Sequence, residues 1–168
     1  MASAPTYESI AYQTVTNTST ASLTFSSIPT TYTDLRFVIS SPVSSSLNWI
    51  GVTINGSTAT NMGYRLLHYG AAGSVLSGAG FSGQNMYFNG DVSPTAATET
   101  IIIDFFGYAN TTYYKSGLAE SYQDGVQISQ SVFGWASTAT INTFSFLTAG
   151  GGFYGNGATF SLYGIKAA

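Results

Sequence analysis

A single-domain, all-β fold is predicted by three observations: an antiparallel β-sandwich of about eight to ten strands with jelly-roll-like connections. Apolar residues alternate with Ser and Thr in one run after another, the period-2 pattern of a half-buried strand. Asn-Gly pairs, prolines and glycine clusters separate those runs, where turn chemistry is expected. No window carries apolar residues at i, i+3, i+4, i+7 over three turns, and Gly, β-branched and hydroxyl residues are poor helix formers.

Each run has a legible inner face. Residues 20–27 place Leu23 and Phe25 together, and residues 34–40 align Leu35, Phe37 and Ile39. Residues 48–55 align Ile50, Val52 and Ile54, and residues 99–106 align Ile101, Ile103 and Phe105. Phe144 and Phe146 share a face of residues 142–147. In residues 159–165, Phe160 and Leu162 face one way while Tyr163 and Ile165 face the other. The alternating Ser and Thr predict uncharged, soluble outer faces, because Thr fits a pleated surface and its hydroxyl satisfies water. A one-residue slip would exchange Leu and Phe for Ser and Thr, so register is well specified.

Asn55-Gly56, Asn89-Gly90 and Asn156-Gly157 read as type I′ turns, which need positive φ at both central residues. Pro42 with the serines at 44–46, residues 94–98 and the triple glycine at 150–152 read as connections. Residues 70–83 hold five glycines and read as a long mobile loop. No linker or internal repeat divides the 168 residues. The expected organisation is an N-terminal arm and first strand over 1–19, then the sandwich over 20–168.

Charge is scarce: four Lys+Arg and seven Asp+Glu make up 7% of the chain, while 44% is hydrophobic and 15% aromatic. Ser (23), Thr (22) and Gly (19) occupy the places where charges usually sit. Arg36, Arg65, Lys115 and Lys166 stand singly, whereas a nucleic-acid groove needs clustered cations; no nucleic-acid partner is expected. No stretch reaches the ~20 apolar residues of a spanning helix, residues 1–5 do not read as a secretory signal, and no membrane partner is expected. Cysteine is absent, which removes disulfides and thiolate chemistry.

The chain is not expected to be an enzyme. The sole histidine, His68, reads as a sheet residue, since a triad needs a base, an orienting carboxylate and a nucleophile together. One His and no Cys argue against zinc as a cofactor, and the Asp91 and Asp124 turns lack a calcium loop's ligand spacing; no metal or other cofactor is expected. The seven carboxylates sit singly, most of them flanking turns or on the outer face of a strand, rather than as a hydrolase pair. The sequons at Asn17, Asn55 and Asn110 read as coincidental. The 25 aromatics (12 Tyr, 11 Phe, 2 Trp) exceed what one core of this size usually houses, and the surplus points to an interface. The candidate contact residues are Tyr7, Tyr12, Tyr113 and Tyr114; Trp49 and Trp135 would matter if the partner were a sugar.

Two end segments carry a resemblance. Tyr7-Glu8-Ser9-Ile10-Ala11-Tyr12-Gln13-Thr14-Val15, then Leu23 to Leu35 with its Phe25-Ser26-Ser27-Ile28-Pro29 core, and at the far end Phe160-Ser161-Leu162-Tyr163-Gly164-Ile165-Lys166 resemble small structural virion proteins of tailed bacteriophages, cyanophages among them. The match covers about a quarter of the chain and transfers no catalytic residue. The resemblance implies a capsid decoration or cement protein. Such a protein would be a homotrimer on the capsid surface, made in the host cytoplasm and bound to the major capsid protein. A small receptor- or glycan-binding fibre or tip module is the alternative. The absence of a stalk after Lys166 favours the decoration reading.

Overall fold

The computed structural model describes residues 6–41, 50–56, 62–70, 75–81, 86–87, 99–123, 127–148 and 152–166. They form twelve strands: β1 (Tyr7–Thr14), β2 (Ser22–Phe25), β3 (Asp34–Ser41), β4 (Ile50–Ile54), β5 (Met62–Gly70), β6 (Val75–Phe81), β7 (Met86–Tyr87), β8 (Glu99–Phe106), β9 (Lys115–Gln123), β10 (Gln127–Trp135), β11 (Phe144–Thr148) and β12 (Thr159–Ile165). All pairs are antiparallel. An eight-stranded sheet runs β1-β12-β3-β8-β9-β10-β5-β6, and a four-stranded sheet runs β2-β11-β4-β7. The all-β sandwich is as expected, with two or more strands beyond the predicted number. β6 lies inside residues 70–83, so this glycine-rich stretch is a strand over Val75–Phe81, paired along β5.

The sandwich exists because alternate residues of both sheets are apolar and their inner faces meet. β3 contributes Leu35, Phe37 and Ile39, β8 contributes Ile101, Ile103 and Phe105, and β12 contributes Phe160 and Leu162, all essentially sealed from water. Opposite them stand Leu23 and Phe25 of β2, Phe144 and Phe146 of β11, and Ile50, Val52 and Ile54 of β4. Phe37 packs edge-on against Phe144 and Phe146, with centroids 5.0 Å away in each case, and against Phe25 at 5.6 Å. β4 departs from simple alternation: all five residues are buried.

The turn predictions divide. Asn55 (φ 51°) and Gly56 (φ 70°) both have positive φ, as a type I′ pair requires. At Asn156-Gly157 only Gly157 is left-handed (φ 89°), and the Ala158 amide donates to the Gly155 carbonyl at 3.0 Å. That is the type II arrangement. Asn89-Gly90, Pro42 with its serines, and residues 94–98 lie outside the described residues.

The first and last strands are neighbours. β1 pairs with β12 from Tyr7↔Ile165 to Thr14↔Thr159. Residues 7–14 are thus tied to the chain's own last strand. On the far side of the sandwich edge, the Gln13 side-chain amide donates to the Thr24 carbonyl at 2.8 Å. This caps an open position on β2 and links the sheets. β1 also carries a bulge between Ser9 and Ala11, a device that discourages edge-to-edge pairing with other chains.

Close packing leaves no room for a side chain at Gly117. A Cβ there would stand 2.2 Å from the Asp104 carbonyl oxygen and 2.3 Å from the Phe133 ring. Gly117→Ala is expected to destabilise the fold by at least about 2 kcal/mol through overpacking. Urea denaturation, read as a lowered midpoint at unchanged slope, checks this.

Candidate functional site

The four candidate tyrosines all reach solvent. Exposures are 47% for Tyr7, 62% for Tyr12, 53% for Tyr113 and 64% for Tyr114. Tyr7 and Tyr12 are five positions apart, so strict alternation would place them on opposite faces. The bulge after Ser9 adds one residue and returns Tyr12 to the outer face that holds Tyr7. The Tyr7 ring covers the Arg36 guanidinium, 5.4 Å from its centroid.

Tyr113 and Tyr114 sit on the segment between β8 and β9, and that segment is held firmly. Gly107 takes positive φ (60°), and the Tyr113 ring lies where a side chain at Gly107 would be. The Gly107 amide donates to Asp34 Oδ1 at 2.7 Å. Asn110 Oδ1 accepts from the Thr112 amide (2.7 Å), the Thr112 hydroxyl (2.8 Å) and the Tyr113 amide (3.2 Å), so this sequon asparagine makes an Asx turn. The Tyr108 ring is buried and its hydroxyl donates to the Pro29 carbonyl; burial pushes that phenol's pKa up. Lys115 closes the segment from beneath. Only 2% exposed, its ammonium donates to the carbonyls of Asn110 (2.5 Å), Tyr113 (3.2 Å) and Ser137 (3.3 Å). Burial pulls the Lys115 pKa down from its ordinary value.

The quartet does not form one cluster. Tyr113 and Tyr114 adjoin the end of β8, and Tyr7 stands at the same end of the sheet. β12 and β3 intervene, a separation of roughly 14 Å at ordinary strand spacing. Tyr12 lies further along β1. Trp135 is buried at the inner end of β10 and presents no stacking surface. Trp49 and the side chain of His68 lie outside the described residues. The His68 backbone pairs with Ser129 in the β5–β10 ladder.

An apolar patch that the alternation argument did not anticipate lies on the outer face of β8, β9 and β10. Ile102 and Phe106 of β8, Leu118 and Tyr122 of β9, and Ile128 and Val132 of β10 are between 37% and 58% exposed. The registers Val132↔Leu118, Ile128↔Tyr122 and Ile102↔Glu120 place them in adjoining rows. A shallow hollow of about 290 Å³ lies between Ile102, Tyr122 and Ile128, with Thr100, Glu120 and Gln130 at its margin. The signal was present in the sequence: residues 101–103 and 105–106 are apolar at consecutive positions, hence on both faces. The expectation that Ser and Thr cover every outer face fails here.

Charge on this surface is already engaged within the chain. Arg36 grips Asp104 with two bonds of 2.6 Å, which raises the guanidinium's pKa further. Lys166 meets Glu8 Oε1 at 2.6 Å, and the Tyr32 hydroxyl donates to Glu8 Oε2 at 3.0 Å. Gln130 donates to Glu120 at 3.2 Å. Glu99, in phase with Ile101, Ile103 and Phe105, is wholly buried on the inner face of β8, opposite Gln123. Among the described residues no cluster of three His, Asp or Glu could hold a metal ion.

No family model and no curated protein matches the chain. Solved structures give distant likenesses. An alginate lyase mutant, Aly36B with alginate trisaccharide, aligns over 80% of this chain and 72% of its own at 11% identity and a TM-score of 0.32. A Bacteroides ovatus xyloglucan-locus protein, GH43B, aligns over 88% of this chain and 32% of its own at 9% identity and a TM-score of 0.33. The CBM2 module of an evolved Dit from Lactobacillus casei BL23 phage J-1 aligns over 92% of this chain and 76% of its own at 9% identity and a TM-score of 0.25. At these scores none bears on function.

Two outcomes follow for this surface. Lys115→Met leaves three carbonyls without their donor and is expected to cost about 2–3 kcal/mol. It should also free Tyr113 and Tyr114, seen as increased ring mobility by NMR. The Glu8 carboxylate is held below its ordinary value of 4.5, first by its hydrogen bond from Lys166 and then by that from Tyr32. Its contribution is therefore present above that ordinary value and is lost as pH falls through the lowered one. Hydrogen exchange of β1 amides should accelerate, relative to β3, as the solution is acidified through that window.

Proposed function

We propose that this chain is a structural protein of a bacteriophage virion: a capsid decoration or cement protein that sits on the shell as a homotrimer and stabilises contacts between capsomers. The observation that carries the reading is the internal use of charge. Arg36, Lys115, Lys166, Glu8, Asp104 and Glu120 all spend their polar contacts within the chain. Such a surface has little charge left for steering a charged substrate or nucleic acid. It recognises by shape, hydroxyl contacts and apolar area, which suits a protein whose task is to stay attached. The end segments at residues 7–15, 23–35 and 160–166, with their likeness to phage virion proteins, support the same reading.

In this reading no cofactor or catalytic step is needed. A protein that binds the assembled shell and has no affinity for its separated parts stabilises the shell by mass action. Three modest contacts on one trimer act together through their high effective concentration. The firmly held Tyr113 and Tyr114, with Tyr7 and Tyr12 along the edge, are the contact residues proposed for the major capsid protein. The exposed tyrosine pair also favours a second reading, a receptor- or glycan-binding tip.

Copy number in purified virions separates the two. Quantitative mass spectrometry is expected to find many tens to hundreds of copies per particle, whereas a handful located at the tail would establish the tip reading. Binding of the purified chain to shells that lack it should change by less than about threefold between low and high salt, because screening weakens exposed ion pairs and leaves apolar contact largely intact. A steep loss of binding with salt would overturn the decoration mechanism as described.

A further inference from the structure

The outer face of β8, β9 and β10 raises a problem of its own. Ile102, Phe106, Leu118, Tyr122, Ile128 and Val132 are 37–58% exposed. With aromatic side chains of roughly 150–250 Å² and aliphatic ones somewhat smaller, they leave about 500 Å² of apolar surface in one block. That is near the upper end of the largest patch on an ordinary monomer. The chain carries a formal charge of only −3, so little electrostatic repulsion keeps such blocks apart.

We infer that the face is covered by a second copy of this chain. Three features argue for a copy over a partner of another kind. The first is area: the block's about 500 Å² of apolar surface, with the exposed Thr100, Ser116, Glu120 and Gln130 of the same three strands around it, approaches the ~800 Å² per partner that a stable interface uses. The second is charge. Arg36 and Asp104 neutralise one another at the margin of the block, and among the described residues Glu120, which accepts from Gln130, leaves a single carboxylate in its middle, a weak basis for selecting a strongly charged partner. The third is shape. Val132 and Leu118 stand opposite one another across β9 and β10, and Ile128 and Tyr122 do so four residues along. Such rows form a ridged surface of the sort that packs on another sheet or sandwich. Closed cyclic association hides the block in every copy, whereas a shell partner would leave it exposed until assembly.

The contact rests on the virion reading only for the use made of the oligomer. It divides the surface: the β8–β10 face joins copies, while Tyr7, Tyr12, Tyr113 and Tyr114 remain outside it. β9 is four strand intervals from β1 in the sheet order.

Sedimentation of the full chain over a hundredfold dilution series, and thiol labelling of Val132→Cys, test it together. The wild-type chain is expected to sediment as an oligomer. Val132→Lys should sediment at monomer mass with its β-sheet circular dichroism retained, and Tyr114→Ala should behave as wild type. The chain has no native cysteine, so the thiol at 132 reports on that position alone. It should react with a maleimide at least tenfold more slowly in the oligomer than in the urea-denatured chain. Cys is close to Val in size, so this measurement stands even if Val132→Lys does not fold. A wild-type chain that is monomeric throughout would overturn the inference. So would a Val132→Lys oligomer, or a thiol as reactive in the oligomer as in the denatured chain. Protection that arises only when empty shells are added would give the face to the shell and overturn it too. Failure of the virion reading looks different: the oligomer forms, the thiol is protected, and the oligomer binds no shell.

Discussion

Phe37 is in ring contact with Phe25, Phe105, Phe144 and Phe146, each edge-on, at centroid separations from 5.0 to 6.4 Å. Phe105 lies on the same sheet, and the other three come from the opposite one. Edge-to-face pairs of this kind contribute about 0.5–1.5 kcal/mol each beyond the area they bury. They are also directional. Moving one sheet against the other by a single residue would break all three cross-sheet contacts at once. The relative placement of the two sheets follows from this interlock. So does everything their outer faces display, because alternation makes the outer residue of each strand a consequence of the inner one.

With the interior filled by rings and aliphatic side chains, charged groups act as fasteners. Lys115 fastens the segment carrying Tyr113 and Tyr114 to the start of the segment after β10. Arg36 and Asp104 join β3 to β8 across their outer face. Glu8, Tyr32 and Lys166 hold β1 to the end of β12, with the Tyr32 ring lying over Gly164. A chain with so few charges has placed them at junctions between elements. Its outward chemistry is left to hydroxyls, rings and aliphatic side chains.

Much of the sandwich was legible in the sequence because alternation is a direct image of a sheet with one wet face. The limits predicted at 99–106 and 159–165 are those observed for β8 and β12. β6 was missed because Gly78, Ala79 and Gly80 carry no strand preference of their own; pairing with β5 supplies the order. The apolar outer face was missed for a related reason. Where both neighbours on a strand are apolar, alternation names the inner set and is silent about the outer one, as with Ile101 and Ile102. The burial of Lys115 and Glu99 could not be read from residue type, since a buried charge depends on partners brought from elsewhere in the chain. The shared face of Tyr7 and Tyr12 depends on a single bulged residue, which no period reveals.

The central place of β12 has a consequence for how the protein comes into being. β12 lies between β1 and β3, and its seven residues are the last to be synthesised among the strands. Until they leave the ribosome, β1 has no partner in the large sheet, β3 is an open edge, and Phe160 and Leu162 are missing from the interior. The small sheet is in a similar state, since β11 must arrive before β2 and β4 can be joined. Before β12 is made, pairing in the large sheet is confined to β3, β8, β9, β10, β5 and β6, while β1 waits. Pairings that span most of the chain are slow to close and leave strand edges open meanwhile. The nascent N-terminal third is a natural client for a holdase chaperone until its last partner strand is released.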